Sequence, residues 1–193
     1  MTDLFPLVFT SGWASGINPY LVVLLTGLTG RLTDIAVPDA LTRNDVLIAA
    51  AILTAIDFIA DKVAYVDSGW DAVNTVVRPT AGAVIALLIS GDAGNLEQAV
   101  LVATGGLTAF ATHVVKAGVR LGVNTSPEPA SNIVVSLLED VVVTGVIILA
   151  FVAPWVAAAI AAALLVTGLA IVVTLWSVIR RRWRARKQAK STT

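Results

Sequence analysis

Apolar residues in this chain do not alternate with polar ones. They run in long stretches, each close to the roughly 20 residues that an α-helix needs to cross a hydrocarbon layer of about 30 Å. The clearest is APWVAAAIAAALLVTGLAIVVTLWSVI (153–179), which is free of charge and carries Trp155 and Trp176 near its ends as interfacial anchors. SNIVVSLLEDVVVTGVIILAFV (131–152) is long enough to span but holds Glu139 and Asp140 in its middle. LEQAVLVATGGLTAFATHVVKAG (96–118) contains a Gly-Gly pair, then His113 and Lys116. AVNTVVRPTAGAVIALLIS (72–90) is shorter and interrupted by Arg78 and Pro79, and VLIAAAILTAIDFIADKVAYV (46–66) starts apolar before meeting Asp57, Asp61 and Lys62. The opening run, 7–32, is the sixth. The pattern predicts an all-α integral membrane protein with about six transmembrane helices, forming one transmembrane domain over 1–179 followed by a basic tail, 180–193. Five crossings plus a re-entrant segment is the alternative.

Composition agrees with the pattern. Of 193 residues, 57% are hydrophobic and 13% charged, and the mean hydropathy is +0.87; soluble domains are roughly half apolar and about a quarter charged. The formal net charge of zero conceals a split. Seven of the thirteen basic residues lie in RRRWRARKQAK (180–190), leaving six basic against thirteen acidic residues before Arg180. By the positive-inside rule the tail is cytoplasmic, and six crossings bring the N-terminus to the same side. That start, MTDLFPLVF, lacks the charged n-region of a cleaved signal peptide. The tail is a topology determinant first and a candidate contact for anionic lipid second. With no cysteine and a single histidine, thiolate sites and zinc sites of several imidazoles are excluded. No Walker loop, GxSxG elbow or HExxH is present, and Trp183 alone is no platform for nucleic acid. No cofactor is implied.

A weak internal repeat pairs ASGINPYLVVLLTGLTGRL (14–32) with TGGLTAFATHVVKAGVRLG (104–122), matching Gly16 with Gly106, Asn18 with Thr108 and Tyr20 with Phe110. Each is followed by a Pro-containing loop and a span with acids inside it. Halves of three helices each, 7–90 and 96–179, would have opposite orientations, the pattern of a 3+3 inverted repeat with broken or re-entrant helices. A second break is then expected near Gly105, Gly106 and Thr108.

Three groups of residues are candidates for chemistry. Asn18-Pro19 weakens the first apolar run: Pro19 either breaks a membrane helix whose ends then bind solute, or occupies the first turn of a helix capped by Asn18. Asp57 and Asp61 share one helix face, and Glu139 and Asp140 lie in the middle third of their span, where an acid costs roughly 2.5–3.5 kcal/mol unless it meets a cavity or a partner. Lys116 and Arg120 follow His113 at spacings of three and four, a basic stripe that offers such partners, and an acid of the DSGWDAVNTVVRP segment is expected to pair with Arg78. The acids therefore form either a cation or proton pathway or a set of structural ion pairs. NTSPEPASN (124–132) is a connection or a re-entrant tip.

With SGINPYLVVLLTGL, DKVAYVDSGWDAVNTVVRPTAGAV and HVVKAGVRLGVNTSPEPASNIVVSLLEDVVV in view, the chain resembles a bacterial polytopic membrane family known as a domain of unknown function, DUF4126, over residues 4–179. The resemblance implies a multi-pass protein of the bacterial cytoplasmic (inner) membrane and no established reaction. From the residues themselves, the expected function is a small transporter or channel for a solute or ion. Asn18, Pro19, Asp57, Asp61, Glu139 and Asp140 would bind the solute or ion, with Arg78, His113, Lys116 and Arg120 as charge partners. A non-transporting scaffold or lipid-interacting assembly factor is the alternative. So short a chain has little room for both pore and scaffold, which implies a homo-oligomer.

Overall fold

The computed structural model describes residues 4–62, 64–91, 93–124 and 129–191, with side chains described except at 64–65, 67–68, 122–124, 129–132, 179 and 181–191. Its elements are all helical: α1 (Leu4–Ser15), α2 (Pro19–Leu32), α3 (Asp39–Thr42), α4 (Asn44–Ala60), α5 (Ala64–Ser90), α6 (Asn95–Asn124), α7 (Pro129–Val152) and α8 (Pro154–Ser191). Four stretches are long and apolar enough to cross a membrane: Gly69–Ser90, Asn95–Leu121, Ile133–Val152 and Pro154–Val178. Their outer faces carry Val76, Leu107, Val141 and Val173, all exposed, as lipid contact requires. The chain is a helical membrane protein.

The opening run is not one helix. Asn18, in extended conformation, caps α2 by accepting the Leu21 N–H at 2.9 Å, and Pro19 fills the first turn, where no donor is needed. Eight of the twelve residues of α1 are buried, and it packs against α5, α6, α7 and α8. At about 1.5 Å per residue it is some 18 Å long, too short to span by itself.

Contacts fix the helix directions. Along α1 and α6, Gly12 lies against Gly105 and Gly16 against Ala109 and Thr112, and Ile17 against Lys116, so these helices run parallel. Asp57 and Asp61 at the end of α4 reach successively toward Arg78, which touches His113, and toward Lys116 and Arg120. Hence α4 also runs parallel to α6. By contrast α2 opposes α4, because Gly27 packs on Leu47 while Leu21 faces Thr54 and Phe58. The chain therefore reverses between α1 and α2, and Gly16, Ile17 and Asn18 form the tip of a buried hairpin. Gly16 is required there, since a Cβ would collide with the Ala109 carbonyl oxygen and the Thr112 side chain.

Three further expectations change. Arg78-Pro79 does not interrupt its span: α5 continues through Pro79, as membrane helices packed against neighbours permit. Nor does α6 break near Gly105, Gly106 and Thr108; it is continuous over Asn95–Asn124. Its glycine instead serves close approach. A Cβ on Gly105 would come 2.6 Å from the Gly82 carbonyl oxygen of α5, and one on Gly12 of α1 would come 2.7 Å from the Gly105 oxygen. Helix α4 ends at Ala60, not 66, leaving Asp61 and Lys62 in the turn that follows.

Candidate functional site: a buried ion network at the hairpin tip

The functional candidates converge because the helices bearing them pack around one level of the bundle. Lys116 and Arg120 are one turn apart on α6 and share a face. Lys116 Nζ lies 2.6 Å from Asp61 Oδ2 and 3.6 Å from Glu139 Oε2. Arg120 Nη2 lies 2.7 Å from Glu139 Oε2 and 3.2 Å from Asp61 Oδ2, while its Nη1 donates to the Asp61 carbonyl at 2.7 Å. Asp61 is thus held by two cations, side chain and backbone together. Lys116 also donates to the Ile17 carbonyl at 3.2 Å, which ties the hairpin tip to the network.

A second knot forms around Arg78 of α5, whose side chain has no solvent exposure. Its Nη1 donates to Asp71 Oδ1 at 3.0 Å and its Nη2 approaches Asp57 Oδ1 at 3.4 Å, so the acid expected to pair with Arg78 is Asp71. Trp70 Nε1 donates to the same Asp57 oxygen at 2.5 Å. Arg78 Nη1 also meets His113 Nδ1 at 3.0 Å, and His113 Nε2 meets Thr75 Oγ1 at 3.1 Å. A guanidinium has no acceptor, so Nδ1 accepts and Nε2 carries the proton. Thr75 is free to accept it, because its hydroxyl hydrogen goes to the Asp71 carbonyl at 2.9 Å. His113 is locked in one tautomer with both nitrogens engaged.

Asp140 stands apart. Among the described residues no Lys or Arg nitrogen comes within salt-bridge distance of it, and its Oδ2 is buried without a partner. Its neighbour is Asn18, whose Oδ1 is committed to the cap, so that Nδ2 is turned to the Asp140 carboxyl as a weak side-chain hydrogen bond. Ser15 Oγ, Thr54 Oγ1, Asp57 Oδ2, Asp61 Oδ1 and Asn74 Nδ2 are also buried without partners. Pro19 contributes backbone geometry alone.

The network thus brings together Asn18, Asp57, Asp61, Arg78, His113, Lys116, Arg120 and Glu139, with Asp140 at its edge. Sequence reasoning missed Asn74, which accepts from Tyr20 OH at 3.4 Å, Thr75, Thr54 and Ser15; single neutral polar residues in apolar runs carry little signal by themselves. The side chain of Asp67, the basic side chains 181–190 and residues 125–128 of NTSPEPASN fall outside the description; the rest of that connection closes α6 at Asn124 and opens α7 at Pro129. The exposed Arg43–Asp45 pair, at 2.6 Å, is remote and adds little.

An apolar exterior around a dense ionic interior, with no cluster of metal-ligating side chains among the described residues, defines a polytopic helical membrane protein with a buried polar centre. Residues 6–174 match the family model described as "Domain of unknown function (DUF4126)", and the chain belongs to that family. No curated protein and no solved structure matches it.

Proposed function

We propose that this protein is a small membrane transporter or channel whose solute or proton path passes the tip of the α1–α2 hairpin. One observation carries the proposal: polar atoms of Ser15 and Asn74 and the second carboxylate oxygens of Asp57 and Asp61 lie buried without partners around the tip and the ion network. Left dry, each costs about 1–3 kcal/mol. A fold that keeps so many at bilayer depth is one in which water or a solute visits them.

The helix directions support five crossings, the four long apolar helices α5 to α8 and the 17-residue α4 running beside them, with α1–α2 as a re-entrant hairpin entering from the side where α5 ends and α6 begins. Phe5 beside Leu96, Val100 and Trp155 fits that entry side. This arrangement is preferred to six crossings and to a 3+3 repeat, whose second half would need a break in α6. The basic tail then faces the cytoplasm, available to anionic lipid, in a bacterial inner membrane, and the chain works as a homo-oligomer.

The scaffold alternative rests on a different observation: Arg78, Lys116 and Arg120 each have a carboxylate oxygen at 3.0 Å or less, as purely structural pairs would. Proteoliposome flux across cations, small anions and organic solutes separates the two. We expect flux in the wild type that falls at least tenfold in assembled Asp57→Asn and Glu139→Gln, as loss of intramembrane charge partners predicts. Silence across the panel, with variants that fail to assemble, would return the acids to a structural role.

A further inference from the structure

We propose that the ion network is reached from one side of the membrane alone, the side on which α8 ends, through Glu139 and Asp71, and that the α1–α2 hairpin seals it from the other. This rests on the re-entrant reading of the hairpin and adds the direction of access to the same site. The charges lie near the tail-side ends of their helices. Arg120 is the last residue but one of the span Asn95–Leu121, Asp71 is the third of Gly69–Ser90, and Asp61 follows the end of α4. Each knot has one acid at its edge: the Asp71 side chain keeps 13% exposure and that of Glu139 18%, while Asp57, Asp61, Arg78, Lys116 and Arg120 keep 3% or less.

Helix packing explains the asymmetry. On the far side of the network α2 packs against both α4 and α7, and α1 against α5 and α6, with Gly12, Gly82 and Gly105 bringing backbones together. The hairpin tip, where Ile17 meets Lys116, stops short of the tail-side ends. Beyond it, α4 is joined to α6, and α6 to Glu139 of α7, through the long side chains of Asp61, Lys116 and Arg120 rather than by close packing of helix on helix. A space lined by charge admits water, whereas one lined by hydrocarbon stays dry.

The lining changes to hydrocarbon within one helical turn. Val143 follows Glu139 by four residues on α7, has no exposure, and belongs to one apolar cluster with Trp13, Ala14 and Ile17 of the hairpin. Farther from the tail side, Val8 of α1 clusters with Ala86 and Leu101. Helix α1 thus contributes to both layers of the wall, which makes the hairpin the seal.

The chain has no cysteine, so single cysteines report access directly. The full chain in sealed vesicles of known orientation is treated with a charged, membrane-impermeant methanethiosulfonate, which reacts with a hydrated thiolate. Thr193→Cys marks the tail side, and Leu96→Cys, exposed where α6 begins, marks the opposite one. Glu139→Cys and Asp71→Cys are expected to react roughly tenfold or more faster from the tail side than from the other, and Val143→Cys and Val8→Cys from neither. Glu139 and Asp71 belong to different knots, so either variant carries the test if the other does not fold. Network cysteines that react at least as fast from the opposite side, or from neither, overturn the proposal, as does a reactive Val143→Cys or Val8→Cys. Markers that report the same side overturn the topology beneath it. Tail-sided access without flux of any solute retires the transport reading and leaves this inference standing. Flux with network cysteines silent from both sides does the reverse.

Discussion

At the scale of single residues, burial makes the charge pairs obligatory. Arg78 has no access to solvent and divides its guanidinium among Asp57, Asp71 and His113. Removing it leaves Asp57 buried with only the Trp70 hydrogen bond and strips His113 of the donor that fixes its tautomer. Breaking one partner of such a pair costs roughly 3–5 kcal/mol. Arg78→Met should therefore lose about that much stability, read as a lower unfolding midpoint in detergent, while Arg43→Met at the exposed pair should change it little. Equal effects would mean that the Arg78 knot is hydrated rather than dry.

Among elements, helix-to-helix distance is set by glycine. Gly12, Gly82 and Gly105 let α1, α5 and α6 meet backbone to backbone, and this contact holds the short, buried α1 upright inside the longer helices. Gly105→Val must push α5 aside, since its Cβ would meet Gly82 and Ala86. Overpacking of this kind costs typically about 1–3 kcal/mol. The expected outcome is marked loss of folded protein in a thermal-stability assay, whereas Gly94→Val, where a Cβ meets nothing within 4 Å, should be tolerated. A Gly105→Val variant as stable as wild type would show that α5 and α6 do not need this close approach.

For the whole molecule, the proposed topology is an odd number of crossings plus a hairpin that returns to the side it entered from, which separates the termini. Reporters fused before Met1 and after Thr193 should report opposite sides of the membrane, the C-terminal one cytoplasmic. Both on the cytoplasmic side would restore six crossings and turn α1–α2 into one broken span. The hairpin places the α1 C-terminus and the α2 N-terminus at one buried level. There, carbonyls and a capping amide face the charges of α6 and α7.

Much of this was legible without coordinates. Apolar runs matched to bilayer thickness announce the membrane, because hydrophobic length is a property of consecutive residues. The acids within spans and the stripe of His113, Lys116 and Arg120 announce a charge network, because isolated charges in hydrocarbon are too costly to keep. Asn18-Pro19 could be read as a cap or a break, and it is a cap at the tip of a reversal. What consecutive residues could not decide was direction and partnership. Whether the chain turns back at Gly16, whether Gly105 breaks α6 or packs it, and which acid is left unpaired depend on which helices lie side by side. Those contacts join residues far apart in the chain: Ile17 with Lys116, Asp57 with Arg78, Asp61 with Arg120. Local sequence sets what each segment can bury; only the packed bundle selects which charges neutralise one another and, among the described residues, leaves Asp140 with Asn18 and no bonded cation.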